Sequence, residues 1–461
     1  MKNIILIITA ICANAFICIA QKQNPPAGST AKDFKLSAKK IQTYSNGLKS
    51  TLVHYGNLPK VNISLIIKTG NIHEAADQVW LADLTVNMLK EGTSTMKFSD
   101  FAKKAAGMGG NINVGVGVAQ TTISGSVLSE YAADFIQLIS ELVMNPAFPV
   151  SELERLKSDQ KRQLTIQKAG PQAQAQEKFF GAVYKDQPYG RYFPTEAMLN
   201  SYAIDAVKEF YNNNFGAKRS VLYVVGKFDD ASVNKAINNS LTKWKSGPGV
   251  TYPKVTATPV SDTMMIERKG APQTTLMVGL PVTTPDNKDY VPLLITNSLL
   301  GGSFGSRITS NIRENKGYTY SPSSSVSNRK GSSLWFEQAD VTTEHTIASL
   351  IEIEKEIKKL QDVEPGEDEL QGIKNYEAGI FVLQNSTPGG IIGQLNFLDL
   401  YGLDDSYLNN YVKNIHSITP KKVQEIAKKY IQYDKMTKVL VGDTEKIKQQ
   451  INTQKKELKA F

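Results

Sequence analysis

The chain has 461 residues, of which 41% are hydrophobic and 21% charged. These are ordinary globular proportions with enough apolar material for two or more cores, and they exclude a disordered chain. The formal charge of +9 is mild for this length, and basic residues are scattered among acidic ones rather than gathered in a stripe, which argues against nucleic acid as a partner.

At the N-terminus, Lys2 precedes an apolar run from Ile4 to Ala20, with small residues at Cys18 and Ala20. This pattern reads as a secretory signal over Met1 to Ala20, so the mature chain is expected to begin near Gln21 and to be exported to the periplasm. An uncleaved membrane anchor fits less well, because the run is short and interrupted by Asn14; no stable membrane insertion is expected after cleavage. Ala15-Phe16-Ile17 before Cys18 is a poor lipidation context. Cys12 and Cys18 are the only cysteines, so the mature chain has no disulfide, thiolate ligand or cysteine nucleophile.

A polar leader remnant occupies 21–40. Ser50–His54 and Val61–Ile67, around the turn Asn57-Leu58-Pro59, read as paired strands. Helical periodicity follows over Trp80–Leu89, Phe98–Ala106, Glu130–Met144 and Ser151–Gln167, with Ser151 as a candidate cap and Glu154 three residues on. Between them Asn111–Val127 alternates as a strand. Helices around Asp205–Asn213, a buried strand Val221–Val225 ending at Gly226, and a helix over Ala231–Leu241 complete a first α+β domain, 41–243. The segment 244–262 is rich in Pro, Gly, Ser and Thr and reads as an exposed connection; a second domain follows over 263–461.

The second half repeats the first. Asn87–Gly92 is echoed by Asn297–Gly302 and Gly107 by Gly317, at a common offset, while Val224-Val225-Gly226 corresponds to Leu440-Val441-Gly442. An internal duplication explains this pattern. The expected fold is therefore α+β, two duplicated α/β-sandwich domains with a cavity or groove at their interface.

Several segments together carry a resemblance: Asn46-Gly47-Leu48, Gly109–Asn113, Asn145–Pro149, Pro188–Arg191 and Arg313–Ser321. Along nearly all of Ile41–Ile451 the chain resembles the pitrilysin/insulinase family of zinc peptidases. The resemblance implies a clamshell of duplicated domains that encloses peptides, with an inverted zinc motif, His-x-x-Glu-His, on a first-domain helix. That motif is absent here. Counting back from Gly92-Thr93, Asp83 and Asn87 stand where the two histidines belong, and Val86 replaces the glutamate. Zinc needs the two imidazoles on one helix face, and hydrolysis needs a carboxylate to take a proton from the bound water, which valine cannot do. The family's third ligand, a glutamate in a later helix, has no counterpart either: between Glu154 and Glu177 the only acidic residue is Asp159. Asp83 and Asn87 alone supply too few oxygens to close a magnesium or calcium site, so no metal or other cofactor is expected in this chain. His73-Glu74, the other His-Glu pair, reads as a surface loop.

What the resemblance preserves is Arg313 and Tyr320, separated by the helix stop Lys316-Gly317 and leading into a strand expected to start within Tyr318–Ser321. In the family such a pair faces the zinc, the arginine holding peptide carbonyls and the tyrosine donating to the developing oxyanion. Some bacterial members resemble a split arrangement in which one chain carries the zinc and its partner carries the Arg/Tyr pair. The expectation is thus a non-catalytic subunit, inactive alone, whose partners are a zinc-bearing chain of the same family and an unstructured peptide. The peptide would add as a strand beside Gly110, Asn111 and Asn113. Two rivals stand beside this reading. One is an exported peptide-binding or assembly protein with no catalytic role. The other is a serine hydrolase using Ser303 in Gly301-Gly302-Ser303-Phe304-Gly305, with His345 or His416 as base; its context is wrong, since Val291–Leu300 looks helical and a nucleophile elbow follows a strand.

Overall fold

The computed structural model describes residues 34–459. The expected leader, both cysteines and most of the polar remnant lie outside these residues. No helix of the described residues is long and apolar enough to cross a membrane.

Two mixed sheets organise the chain. The first runs β1-β2-β6-β3-β5-β4, from β1 (Lys39–Thr43), β2 (Lys49–His54), β3 (Lys60–Ile67), β4 (Asn113–Val116), β5 (Thr121–Leu128) and β6 (Ser220–Gly226). The second runs β7-β11-β8-β10-β9, from β7 (Thr263–Glu267), β8 (Gln273–Val282), β9 (Ser323–Arg329), β10 (Ser332–Thr342) and β11 (Thr437–Gly442). Without the extra edge strand β1 the two orders superpose, with β2 matching β7, β6 matching β11, and β3, β5 and β4 matching β8, β10 and β9. Senses match too: β2–β6 and β7–β11 are the parallel pairs and the others are antiparallel. The duplication legible in the glycines is therefore a repeat of topology.

Each sheet has one face against its own helices. In the first half Leu52, Ile63, Leu65, Ile123 and Leu222 pack against α1 (Leu81–Leu89), α2 (Ala132–Met144) and α3 (Val150–Ala169). The opposite faces are exchanged between halves. Phe179, Phe180 and Val183 of α4 (Pro171–Tyr184) pack beneath Met277, Leu334, Val439 and Val441 of the second sheet. Reciprocally, Ile391, Ile392, Leu395 and Leu398 of α5 (Pro388–Tyr401) cover Ile66, Val221, Tyr223 and Val225 of the first. Apolar residues on both sides of a strand give the continuous hydrophobic run seen in β6, every residue of which is buried. The reciprocal cover makes all described residues part of one compact unit.

Several expected elements differ. β2 and β3 are not paired with each other, because β6 lies between them, parallel to β2 and antiparallel to β3. The turn 55–59 crosses over its end, where Tyr55 N–H donates to Gly226 O at 3.0 Å. Asn111–Val127 is a hairpin rather than one strand, closed where Gly117 N–H donates to Gln120 O at 2.8 Å. Helix α3 starts at Val150 after Pro149, so Ser151 lies in the first turn and caps nothing; Glu154 instead pairs with Lys157 at 2.9 Å. The strand after Gly317 begins at Ser323, and Thr319 makes only an isolated bridge to Val341. The connection 244–262 is docked in part: Trp244 and Val255 are buried, and Gln187 exchanges amide hydrogen bonds with the Thr256 main chain.

Asp289, buried at the start of the helix Tyr290–Asn297, receives Lys422 and Lys429 at 2.8 Å each and the hydroxyl of Tyr430 at 3.1 Å. The lysines hold its carboxyl well below the usual range. A depressed acid stabilises the fold above its unfolded pKa and loses that contribution as pH falls. Asp289→Asn is expected to cost about 1–3 kcal/mol at neutral pH and progressively less in acid, read from urea midpoints; a cost independent of pH would contradict the ion-pair account.

Candidate functional site

Helix α1, which carries the positions aligned with the zinc motif, starts from a strained residue. Trp80 has φ 69°, a left-handed conformation that a bulky side chain rarely adopts. Glu74 holds it there. Its carboxylate accepts the N–H of Trp80 at 3.1 Å and of Ala82 at 2.8 Å, capping the orphan donors of the first turn. Burial raises the Glu74 carboxyl to about 8, against the opposing pull of these donors. The expectation of a surface His73-Glu74 loop is therefore corrected. Glu74 is buried, and His73 is half-buried, held at its ring nitrogens by Thr251 O at 2.8 Å and Gly70 and packed near Tyr252. Burial lowers the pKa of His73, and its engaged nitrogens leave no lone pair for a metal.

Asp83 and Asn87, one turn apart on α1, line a cavity of about 250 Å³. Gln160, Gln163 and Gln167, on one face of α3, line it from the side. Asn71 bridges the two acids, its Nδ2 donating to Asp83 Oδ2 at 2.6 Å and to Glu74 Oε1 at 3.1 Å. Burial also raises the Asp83 carboxyl, against the Asn71 bond. Val86 is 1% exposed and points into the core.

The group that a zinc-peptidase relationship implies does not fit these residues. Zinc is held by imidazole, thiolate and carboxylate, whereas the cavity presents no imidazole or thiolate, only two carboxylates, Asp83 and Glu74, and several amides; Glu74 is taken up by the N–H groups of Trp80 and Ala82, and the Asn71 NH₂ is aimed at both acids. Among the described residues no cluster of three His, Cys, Asp or Glu side chains is placed to hold a metal.

Arg313 and Tyr320 do not line this cavity. Arg313 closes the helical turn Thr309–Asn315, its guanidinium 4.5 Å from the Phe304 ring and 3.3 Å from Glu314. Tyr320 is 85% and Phe304 70% exposed, so the Arg313–Phe304 pair lies at the surface and Tyr320 faces outward. Gly110 is pressed against β5, where a Cβ would stand 1.8 Å from Ser126 O. Asn111 and Asn113 line a separate cavity of about 350 Å³ beneath Gly389 and Ile392 of α5, and Asn113 opens the edge strand β4. Ser303 follows helical turns over Ser298–Gly302, not a strand, and its hydroxyl has no partner among the described residues. His345 stacks on Tyr318 at 4.2 Å. The nucleophile-base contact of a serine hydrolase is missing.

Two features of this region were not singled out from the sequence. The three glutamines at i, i+3 and i+7 were readable as one helix face. Arg329 gave no local signal, because only the folded chain brings the end of β9 over Phe180, Tyr184 and Tyr189 of the other half, at 4.2, 5.6 and 5.1 Å.

Two duplicated α+β sandwiches around a peptidase-type helix stripped of its metal ligands define a non-catalytic homologue of a zinc peptidase. The family model "Insulinase (Peptidase family M16)" matches residues 52–193, and the model "Peptidase M16 inactive domain" matches 202–376. The chain belongs to this insulinase family, M16. A protein of Rickettsia bellii named as an uncharacterized zinc protease is 26% identical over 70% of this chain and 78% of its own length. The Helicobacter pylori non-peptidase homolog YmxG is 23% identical over 85% of this chain and 91% of its own. The crystal structure of a peptidase M16 inactive domain from Pseudomonas fluorescens shares the fold, with a TM-score of 0.81 and 23% identity, covering 88% of this chain and 98% of that one.

Proposed function

We propose that this chain is the non-catalytic subunit of an exported, periplasmic zinc peptidase complex, holding extended peptide and lending Arg313 and Tyr320 to a zinc-bearing partner of the same family. The observation that carries this reading is the outward placement of Tyr320, with Arg313 half-exposed beside Phe304, on a chain whose own cavity lacks the histidines of a zinc site. A guanidinium and a phenol that serve another chain's site must face away from their own core, and Tyr320 does so almost completely. Arg313 brings a fixed fork of donors for peptide carbonyls, and Tyr320 a hydroxyl donor. Peptide is received along the free edge of β4 by main-chain pairing.

An exported peptide-holding protein with no catalytic partner is the second reading. It is favoured by a cavity of about 530 Å³ between the halves, lined by Gly115 and Val116 of β4 and by Ser327–Arg329 of β9. Cleavage of an unstructured peptide, by the chain alone and mixed with a zinc-motif relative from the same cell, separates the two. The chain alone is expected to be inactive and to carry well under one zinc per molecule by metal analysis, with activity appearing in the mixture. Zinc-dependent cleavage by the chain alone would overturn both readings; peptide binding without activity in the mixture selects the second.

A further inference from the structure

The cavity beside Asp83 offers acceptors that lack a donor. Asp83 takes one amide bond from Asn71, and no lysine or arginine lies within ion-pair distance of it among the described residues. Lys90, two turns along the same helix, reaches Asn87 Oδ1 at 3.3 Å instead. Gln160 is 2% exposed. Its Nε2 donates to Trp80 O at 3.0 Å, while its Oε1, in the side chain that lines the cavity, has no partner. A buried amide oxygen without a donor is unusual enough to need an explanation. Beside these acceptors the wall is apolar or aromatic: Val79, Trp80, Val118 and Pro188.

Of the two cations on the other side, only Arg191 has its donors engaged. Arg191 is fixed by Asp186 O and Glu74 O, both at 3.1 Å, and Arg329 sits over its three aromatic rings. Arg329 lines both this cavity and the 530 Å³ cavity between the edge strands, so it stands where the two meet. The sole hydrogen bond of its guanidinium among the described residues is a long one, 3.5 Å to Tyr189 O, which leaves most of the guanidinium donors free.

From this arrangement we infer that the cavity receives a primary ammonium group on an aliphatic stem, carried by an extended peptide lying in the adjoining cavity. The ammonium, with three donors and no acceptor, bonds Asp83 and Gln160. The stem lies against Val79, Trp80 and Val118, and Arg329 takes the peptide's carbonyl oxygens. A bare hard cation fits worse, since it needs six to eight oxygens closing around it, and here an amide NH₂ occupies the space between the two carboxyls. The ammonium belongs to a lysine side chain or to the peptide's N-terminus. This inference rests on the peptide-binding reading and narrows it to one anchoring group.

The test is fluorescence anisotropy on the full chain with labelled extended peptides in matched pairs, one with central lysine against norleucine and one with a free N-terminus against an acetylated one. A charge-assisted anchor is expected to favour the amine-bearing member of one pair by about tenfold or more, and the favoured pair names the source. Asp83→Asn is expected to abolish the preference. Gln160→Met, which keeps the side chain's length, is expected to reduce it, and serves if Asp83→Asn fails the circular-dichroism check of folding. Equal binding within both pairs overturns the anchor and leaves peptide binding intact, whereas no binding of any peptide overturns both. A preference unchanged in the folded variants places the ammonium elsewhere and also overturns the inference.

Discussion

Glu337→Gln is expected to stabilise the protein at neutral pH, and to do so more strongly as pH rises. Glu337 lies on β10, on the core side with Trp335 and Ala339; it is 0% exposed, and among the described residues neither carboxyl oxygen has a partner at hydrogen-bond geometry, the Ser323 backbone being the nearest donor to act on it. Space around it is closed, since a Cβ at Gly301 would stand 2.8 Å from Glu337 Oε2. Burial pushes this carboxyl well above its ordinary range, so the folded protein keeps it protonated while the unfolded chain ionises from about pH 4.3 upward. The unfolded state then binds fewer protons than the folded one, and stability falls with rising pH by roughly 1.4 kcal/mol per unit for this group. Glutamine keeps the shape and cannot ionise. Between pH 4 and pH 7 the variant should gain about 3 kcal/mol on the parent so long as the buried carboxyl stays neutral, and at pH 4 it should gain nothing. Urea midpoints at pH 4, 5.5 and 7 read this directly, and identical pH slopes in the two proteins would exclude the account. Glu74 pulls the same way and Asp289 the opposite way, but both are common to parent and variant and cancel in the difference.

The parts of this fold that were legible in the sequence are those fixed by local period. The runs at Val61–Ile67 and Val221–Val225 are strands, and Trp80–Leu89 and Glu130–Met144 are helices to within a residue or two. The repeat of Asn87–Gly92 in Asn297–Gly302 marked a duplication, and the two sheets repeat one strand order. What failed was pairing. Two strands joined by a short turn look like a hairpin, and nothing local says that a strand more than a hundred and fifty residues later enters between them. The helix exchange between halves was hidden as well: α4 and α5 were not among the helices expected from the sequence, and nothing local says which sheet either covers. At the site, the replacements at Asp83, Val86 and Asn87 were visible because a missing histidine is a property of the sequence. The environment was not. Glu74 looked like a loop residue, and only its bonds to Trp80 and Ala82 show it capping a strained helix start.

In a complex reconstituted with a zinc-bearing chain, Tyr320→Phe is expected to lower kcat by roughly a hundredfold or more, the effect of deleting one donor aimed at a developing oxyanion, with KM little changed. Arg313→Ala is expected to raise KM as well, because its fork holds substrate before reaction. Arg313→Lys should not restore the loss, since a point charge cannot replace a planar fork. Neither change should alter the melting temperature of the isolated chain beyond the small shifts of surface substitutions: Tyr320 is 85% exposed, and the Arg313 guanidinium lies over the exposed Phe304 ring beside the exposed Glu314. That separation gives the measurement its force. A core tyrosine would couple lost activity to lost stability, whereas an outward one has little fold to support, so an activity loss with an unchanged melting temperature can arise only from a site completed by another chain. Full activity in both variants would leave the exposed cluster without that role and favour the chain as a holder of peptides.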